Sequence, residues 1–184
     1  MSTMTGFDEL TGDYVLDAAH TRIGLVARHR MASRVRGEFE ACEGGVRVDG
    51  EDPSRSAVRL TVRTASIRTG DQRRDAMLRT SFLAAPDHPD MTFTSTEVRQ
   101  VDETAFEVTG DLTLRGVTRP VTVEVELTEA QETGEGVRLG FRGGATLDRN
   151  DWGVNWNVLT TALVSPLVVL ELDVVVVRRT EAAG

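Results

Sequence analysis

Residues 57–64 read AVRLTVRT. Val58, Leu60 and Val62 fall on one side of an extended chain and Arg59, Thr61 and Arg63 on the other, because successive strand side chains point to opposite faces. The same period of two runs through the rest of the sequence. FEVTGDLTLRG (106–116) puts Phe106, Val108, Leu112 and Leu114 on one face, and VTVEVEL (121–127) sets Val121, Val123, Val125 and Leu127 against Thr122, Glu124 and Glu126. LVVLELDVVVV (167–177) groups Val168, Leu170, Leu172, Val174 and Val176. MTFTSTEV (91–98) and VRLGFRGGATL (137–147) alternate more weakly, carried by Met91, Phe93, Leu139 and Phe141. HTRIGLVARH (20–29) and RGEFEACEGGVRV (36–48) complete a set of about eight strands. The turns between them are short and rich in glycine and acids, which implies an antiparallel meander. Eight such strands can close into a barrel and so remove exposed edges; a two-sheet sandwich gives much the same pattern.

Two segments break the period. TGDQRRDAMLRTSFL (69–83) is rich in helix formers, with Asp71 or Thr69 placed to cap its start. Asp75 and Arg79 have the i, i+4 spacing of a surface ion pair, and Arg74 shares a face with Leu78. The helix must end before Pro86. NDWGVNWNVLTTALVSP (150–166) holds both tryptophans and forms a long connection suited to a lid or wall.

The 184 residues suffice for one domain with its own core, here taken as 13–179 between loose ends at 1–12 and 180–184. The single Cys42 excludes an internal disulfide framework and a Cys-cluster metal site. It lies between Glu40 and Glu43, a setting that raises a thiol pKa and argues against a nucleophile. His20, His29 and His88 have no metal-ligand spacing, and no nucleophile elbow, phosphate loop or dinucleotide fingerprint is present. No cofactor, metal or catalytic set is therefore expected. No apolar run nears the roughly 20 residues of a membrane helix, and the first residues lack a secretory leader, so a cytoplasmic protein without stable membrane insertion is expected.

All 21 cations are arginine and face 29 acids, for a net charge of −8 that disfavours nucleic acid. The acidity is uneven. Residues 1–100 hold 14 arginines and 15 acids, whereas residues 101–184 hold 7 and 14. Between Asp17 and Glu38 there are five arginines (Arg22, Arg28, Arg30, Arg34, Arg36) and no acid. These charges are met either by acids on neighbouring strands or by an anionic head group, which the planar guanidinium fits. In phase with Ile23 and Leu25, His29 is expected to point inward, while Arg22, Arg28 and Arg30 point outward.

Several strings together resemble the YceI-like polyisoprenoid-binding family: DAAHTRIGLVARH (17–29), RGEF (36–39), TASIRT with GDQRRDAMLRTSFLAAPDHPDMTF (64–93), and GDLTLRGVTRPV (110–121). The most specific parts are Arg74, Asp75 and Leu78, then Phe82, Pro89 and Phe93, and the turn ending at Pro120. The similarity runs from Tyr14 to about Val177. It tips the choice towards an all-β, eight-stranded antiparallel lipocalin-like barrel with a short helix packed at one end. It implies a lumen for an isoprenoid, a quinone or a fatty-acid-like lipid, lined by Ile23, Leu25, Phe39, Leu60, Met77, Leu78, Phe82, Phe93, Phe106, Leu112 and Phe141. Trp152 and Trp156 would help to close it, His29 would reach it, and Arg28, Arg30 and Arg74 are the head-group candidates. Leu25 stands where the family often has phenylalanine, and the NDWGVNW element departs from its usual pattern, which puts ligand length in question.

The expected function is non-enzymatic binding, storage or transport of such a lipid. The competing readings are a filled barrel serving as a stress-associated interaction module, and a lipid-modifying enzyme using His29 with Arg28 or Arg74. A homodimer is compatible with the long outer strands.

Overall fold

The computed structural model describes residues 2–3, 7–29, 34–154 and 164–179. Its first three strands each run in two pieces. These are β1 (Gly12–Leu16 and Arg22–His29), β2 (Arg34–Phe39 and Cys42–Val48) and β3 (Ala57–Arg63 and Ile67–Arg68). The other five are continuous: β4 (Asp90–Gln100), β5 (Ala105–Leu114), β6 (Val117–Thr133), β7 (Gly136–Asp148) and β8 (Val164–Arg179). Each strand pairs antiparallel with the next in sequence. β8 then returns to both pieces of β1, with Val176 opposite Leu16 and Leu172 opposite Ile23. The result is a closed eight-stranded up-and-down barrel, as expected from the alternation. The two N-terminal residues Ser2–Thr3 add a short strand against Gln131 and Glu132 of β6.

The break in β1 has a local repair. Where the turn Ala18–His20 interrupts the ladder, the Thr21 hydroxyl donates to the Val175 carbonyl (3.3 Å) and accepts from the Val175 amide (3.1 Å). A side chain thus stands in for the missing rungs, which a buried backbone requires.

The connection from β3 to β4 carries the helix α1 (Gln72–Met77), which continues into a wider π-helical turn at Leu78–Phe82. Asp71 caps it, accepting from the amides of Arg73 (2.9 Å) and Arg74 (3.1 Å). Asp75 does not form the expected surface pair with Arg79. It is buried and accepts from the Thr69 amide (2.9 Å) and hydroxyl (2.5 Å). Arg74 clamps the same residue, donating from Nε to the Thr69 hydroxyl and from Nη2 to its carbonyl, both at 2.8 Å. The Arg74–Asp75 pair therefore ties the start of α1 to the strand that precedes it. The segment ends at Ala84, whose φ of 49° is left-handed, just before Pro86.

Inside the barrel two hydrophobic clusters are stacked. One, at the α1 end, includes Phe39, Ile67, Phe82, Phe93, Leu112 and Trp152. The other, at the far end, is built on Leu10, Tyr14, Val48, Val137, Leu139 and Val176. Leu10 is buried, and its carbonyl accepts the Tyr14 hydroxyl at 2.6 Å, so the chain is anchored ahead of residue 13.

Candidate functional site

Between the two clusters lies an internal cavity of about 130 Å³. Residues of all eight strands and of both clusters reach it, among them Leu16 and Val46 from the far end and Ile23, Val62, Val108 and Val121 from the α1 end. Its walls are aliphatic, thioether and aromatic, together with Gly45 and the solvent-exposed Arg59. A Cβ on Gly110 would stand 2.6 Å from the Phe93 ring, so glycine there is what lets that ring lie across β5.

The structure distributes the expected lining residues unevenly. Ile23, Leu60, Phe93, Leu112 and Phe141 touch the cavity. Phe39, Phe82 and Trp152 are buried in the cluster at the α1 end, and Leu25 and Leu78 pack against it. Phe106 is buried on β5 without reaching the cavity wall. Met77 is misplaced by the sequence reading: it is 42 % exposed. The helical phase explains this, since Asp75, Leu78 and Phe82 turn inward and leave Met77 on the outer side. Arg74 is held by Thr69, as described. His29 and Arg28 lie on β1, but their side chains are outside the described set, as are Arg30 and Trp156 altogether.

The wall also includes residues beyond the expected set, notably Val58, Val62, Val123, Val125, Leu170 and Val174. Their inward phase is readable from the same alternation, but alternation alone does not tell a valine that packs from one that borders open space.

The α1 end of the cavity is backed by a plug built from the turn Arg149–Trp152 that follows β7. Asp148 caps that turn by accepting the Asn150 amide at 3.0 Å. The Trp152 indole N–H donates to the Leu112 carbonyl at 3.0 Å. Arg149 is buried and donates to the carbonyls of Val154 (2.8 Å) and Ser165 (3.2 Å). Burial pushes its pKa down, opposed by Asp148. From the β5–β6 hairpin, Arg115 donates to the Gly153 carbonyl and Arg119 to that of Asp151 (3.2 Å). That hairpin turns through Arg115 and Gly116, both with positive φ.

Within the arginine-rich window, Arg36 pairs with Glu171 on the outside of the barrel at 3.2 Å, and Arg22 sits opposite Asp173 in register. Burial raises the Cys42 pKa, so the expected direction holds with a different cause from the neighbouring acids. The Asp75 carboxyl is held below the ordinary carboxylate range, first by the Thr69 hydroxyl and then by its amide, with Arg68 and Arg79 adding to this against the cost of burial. Among the described residues no cluster of metal-ligating side chains forms, and no helix is long and apolar enough to cross a membrane.

Residues 14–176 match the YceI-like domain. The chain belongs to the YceI-like family. Among curated relatives it is similar to a UPF0312 protein of Pseudomonas aeruginosa, 35% identical over 158 residues that cover 84% of this chain and 82% of that one. A UPF0312 protein of Azotobacter vinelandii is 33% identical over 149 residues, covering 79% and 78%. Among solved structures the barrel resembles BcnA of Burkholderia cenocepacia (TM-score 0.79, 22% identity, 87% of this chain and 98% of that one). It also resembles a polyisoprenoid binding domain from Saccharophagus degradans (TM-score 0.69, 15% identity, 89% and 97%). The YceI protein of Campylobacter jejuni superposes with a TM-score of 0.68 at 24% identity, over 99% and 100%. These likenesses establish the YceI-like barrel fold.

Proposed function

We propose that this YceI-like barrel is a non-catalytic binder of an amphiphile with a branched apolar chain, such as an isoprenoid or a quinone tail, and that the chain's end occupies the central cavity. The observation that carries the reading is the cavity itself: about 130 Å³, lined by apolar side chains apart from Gly45 and Arg59, between two packed clusters. A cavity of this size and lining is comparable to one of about 150 Å³ that stays dry and accepts a benzene-sized group. One five-carbon isoprene unit therefore fits. Burying it is worth roughly 4 kcal/mol at about 0.8 kcal/mol per CH₂, which alone gives a Kd near the millimolar range. Micromolar binding needs about two units, so a longer chain must displace side chains at one end. The polyisoprenoid binding domain with the same fold supports this ligand class.

Native mass spectrometry of the purified protein, before and after loading with a short prenyl alcohol, tests the reading. A stoichiometric adduct with a raised melting temperature is expected. No adduct and no shift with any prenyl alcohol, quinone or fatty acid would overturn it in favour of a filled barrel.

A further inference from the structure

The two ends of the barrel differ in charge. The described connections at the α1 end (residues 69–89, 115–116 and 149–154) hold five arginines, of which Arg149 is buried, and four acids. The segments at the far end (residues 7–11, 49–56, 101–104 and 134–135) hold one arginine and eight acids. α1 itself turns a face to solvent that contains Gln72, Arg73, Ala76, Met77 and, one turn on, Thr80, with no acid among them. Met77 is a large apolar side chain left 42 % exposed one turn from Arg73, while Asp75 is turned inward against Thr69 and Asp71 caps the first turn from an exposed position.

We propose that the α1 end docks on an anionic bilayer surface, with Arg73 near the phosphates and Met77 dipping into the interface. This deepens the proposed function, on which it rests for its purpose, by naming the membrane as the source of the apolar chain. The global charge of −8 does not oppose such docking. A strand as long as β6, with 17 residues, spans about 40 Å of barrel height at the usual rise and tilt. The screening length in physiological salt is about 8 Å. The far-end acids are thus screened from a surface that touches α1, and they only disfavour the inverted approach. Juxtaposed arginines are attracted to anionic leaflets, and an exposed apolar side chain adds insertion.

Co-sedimentation of the full chain with vesicles of equal phosphatidylcholine and phosphatidylglycerol tests the surface. Salt-sensitive binding is expected, and it should be weak on pure phosphatidylcholine. The double variant Arg73→Glu with Met77→Asp, both at exposed positions, should lose about tenfold or more in vesicle affinity with an unchanged melting temperature. Asp102→Arg at the far end should not weaken binding. Absence of sedimentation, equal binding to neutral vesicles, or equal binding by the double variant would each overturn the proposal. Melting shifts with a soluble prenyl alcohol separate the two readings. Sedimentation without a shift leaves the surface standing and removes the cavity ligand; a shift without sedimentation does the reverse.

Discussion

Val123→Phe is the substitution that most directly separates a binding cavity from an imperfectly packed core. Val123 is buried on β6 and faces the cavity between Val121 and Val125. Phenylalanine adds about four carbons pointing into the space and suits a strand. A void of about 130 Å³ represents roughly 3 kcal/mol of missing packing at about 24 cal/mol per Å³. Filling around half of it recovers about 1.5 kcal/mol, which overpacking of about 1–3 kcal/mol offsets. The unliganded variant should therefore melt close to the wild type. Ligand response should differ sharply. For the wild type, a prenyl alcohol at a hundred times its Kd adds about 2.7 kcal/mol. At about 2–4 °C per kcal/mol for a domain of this size, the expected rise is roughly 5–11 °C. In Val123→Phe the rise should fall to near zero, measured by thermal denaturation over a ligand titration. An undiminished rise in a folded variant would refute the reasoning, because the ligand would then sit elsewhere.

Three further outcomes follow from the same structure. Tyr14→Phe removes a buried hydroxyl whose bond to the Leu10 carbonyl measures 2.6 Å, and should cost about 1–2 kcal/mol in chemical denaturation without changing prenyl-alcohol binding. Asp75→Asn should lower the melting temperature at neutral pH. The folded-state pKa of Asp75 is depressed chiefly by Thr69, so its contribution is present above the unfolded value near 4 and is lost as pH falls through the folded value; the gap between wild type and variant should close on acidification, seen in melting curves against pH. Cys42, its thiol pKa raised by burial, should react with a thiol reagent more slowly in the native protein than in the unfolded chain at the same pH.

Strand number, order and inward phase were legible because alternation is a backbone consequence, and eight strands with one apolar face each have few ways to hide those faces. The two-piece character of β1 to β3 was not. The turns at Ala18–His20 and Thr64–Ser66 are only three residues long, and apolar alternation resumes after them. The helix was legible in place and cap, but not in its contacts. Asp75 and Arg79 have surface-pair spacing, yet Thr69, six residues earlier, offers Asp75 two donors at closer range. The same inward turn of Asp75 carries Met77 outward. The cavity was half legible. Phe93 and Phe141 were reached through their bulk, but most of the wall is valine and leucine, and whether a valine packs or leaves space depends on its partners across the barrel rather than on its own position.

The pairing of β8 with β1 is the one joint in the barrel wall between strands distant in sequence; Val177 lies opposite Val15 and Val176 opposite Leu16. Every other joint connects strands that follow one another in sequence, so closure of this joint spans the longest stretch of chain and carries the largest loop entropy of any single joint. It also brings the two ends of the domain together. A circular permutant that links residues near 12 and 179 and opens the exposed Gly134–Glu135 turn would make this joint local, leaving the β6–β7 pairing as the long-range one. Such a permutant should keep the barrel while moving the longest-range closure about a quarter turn around the wall.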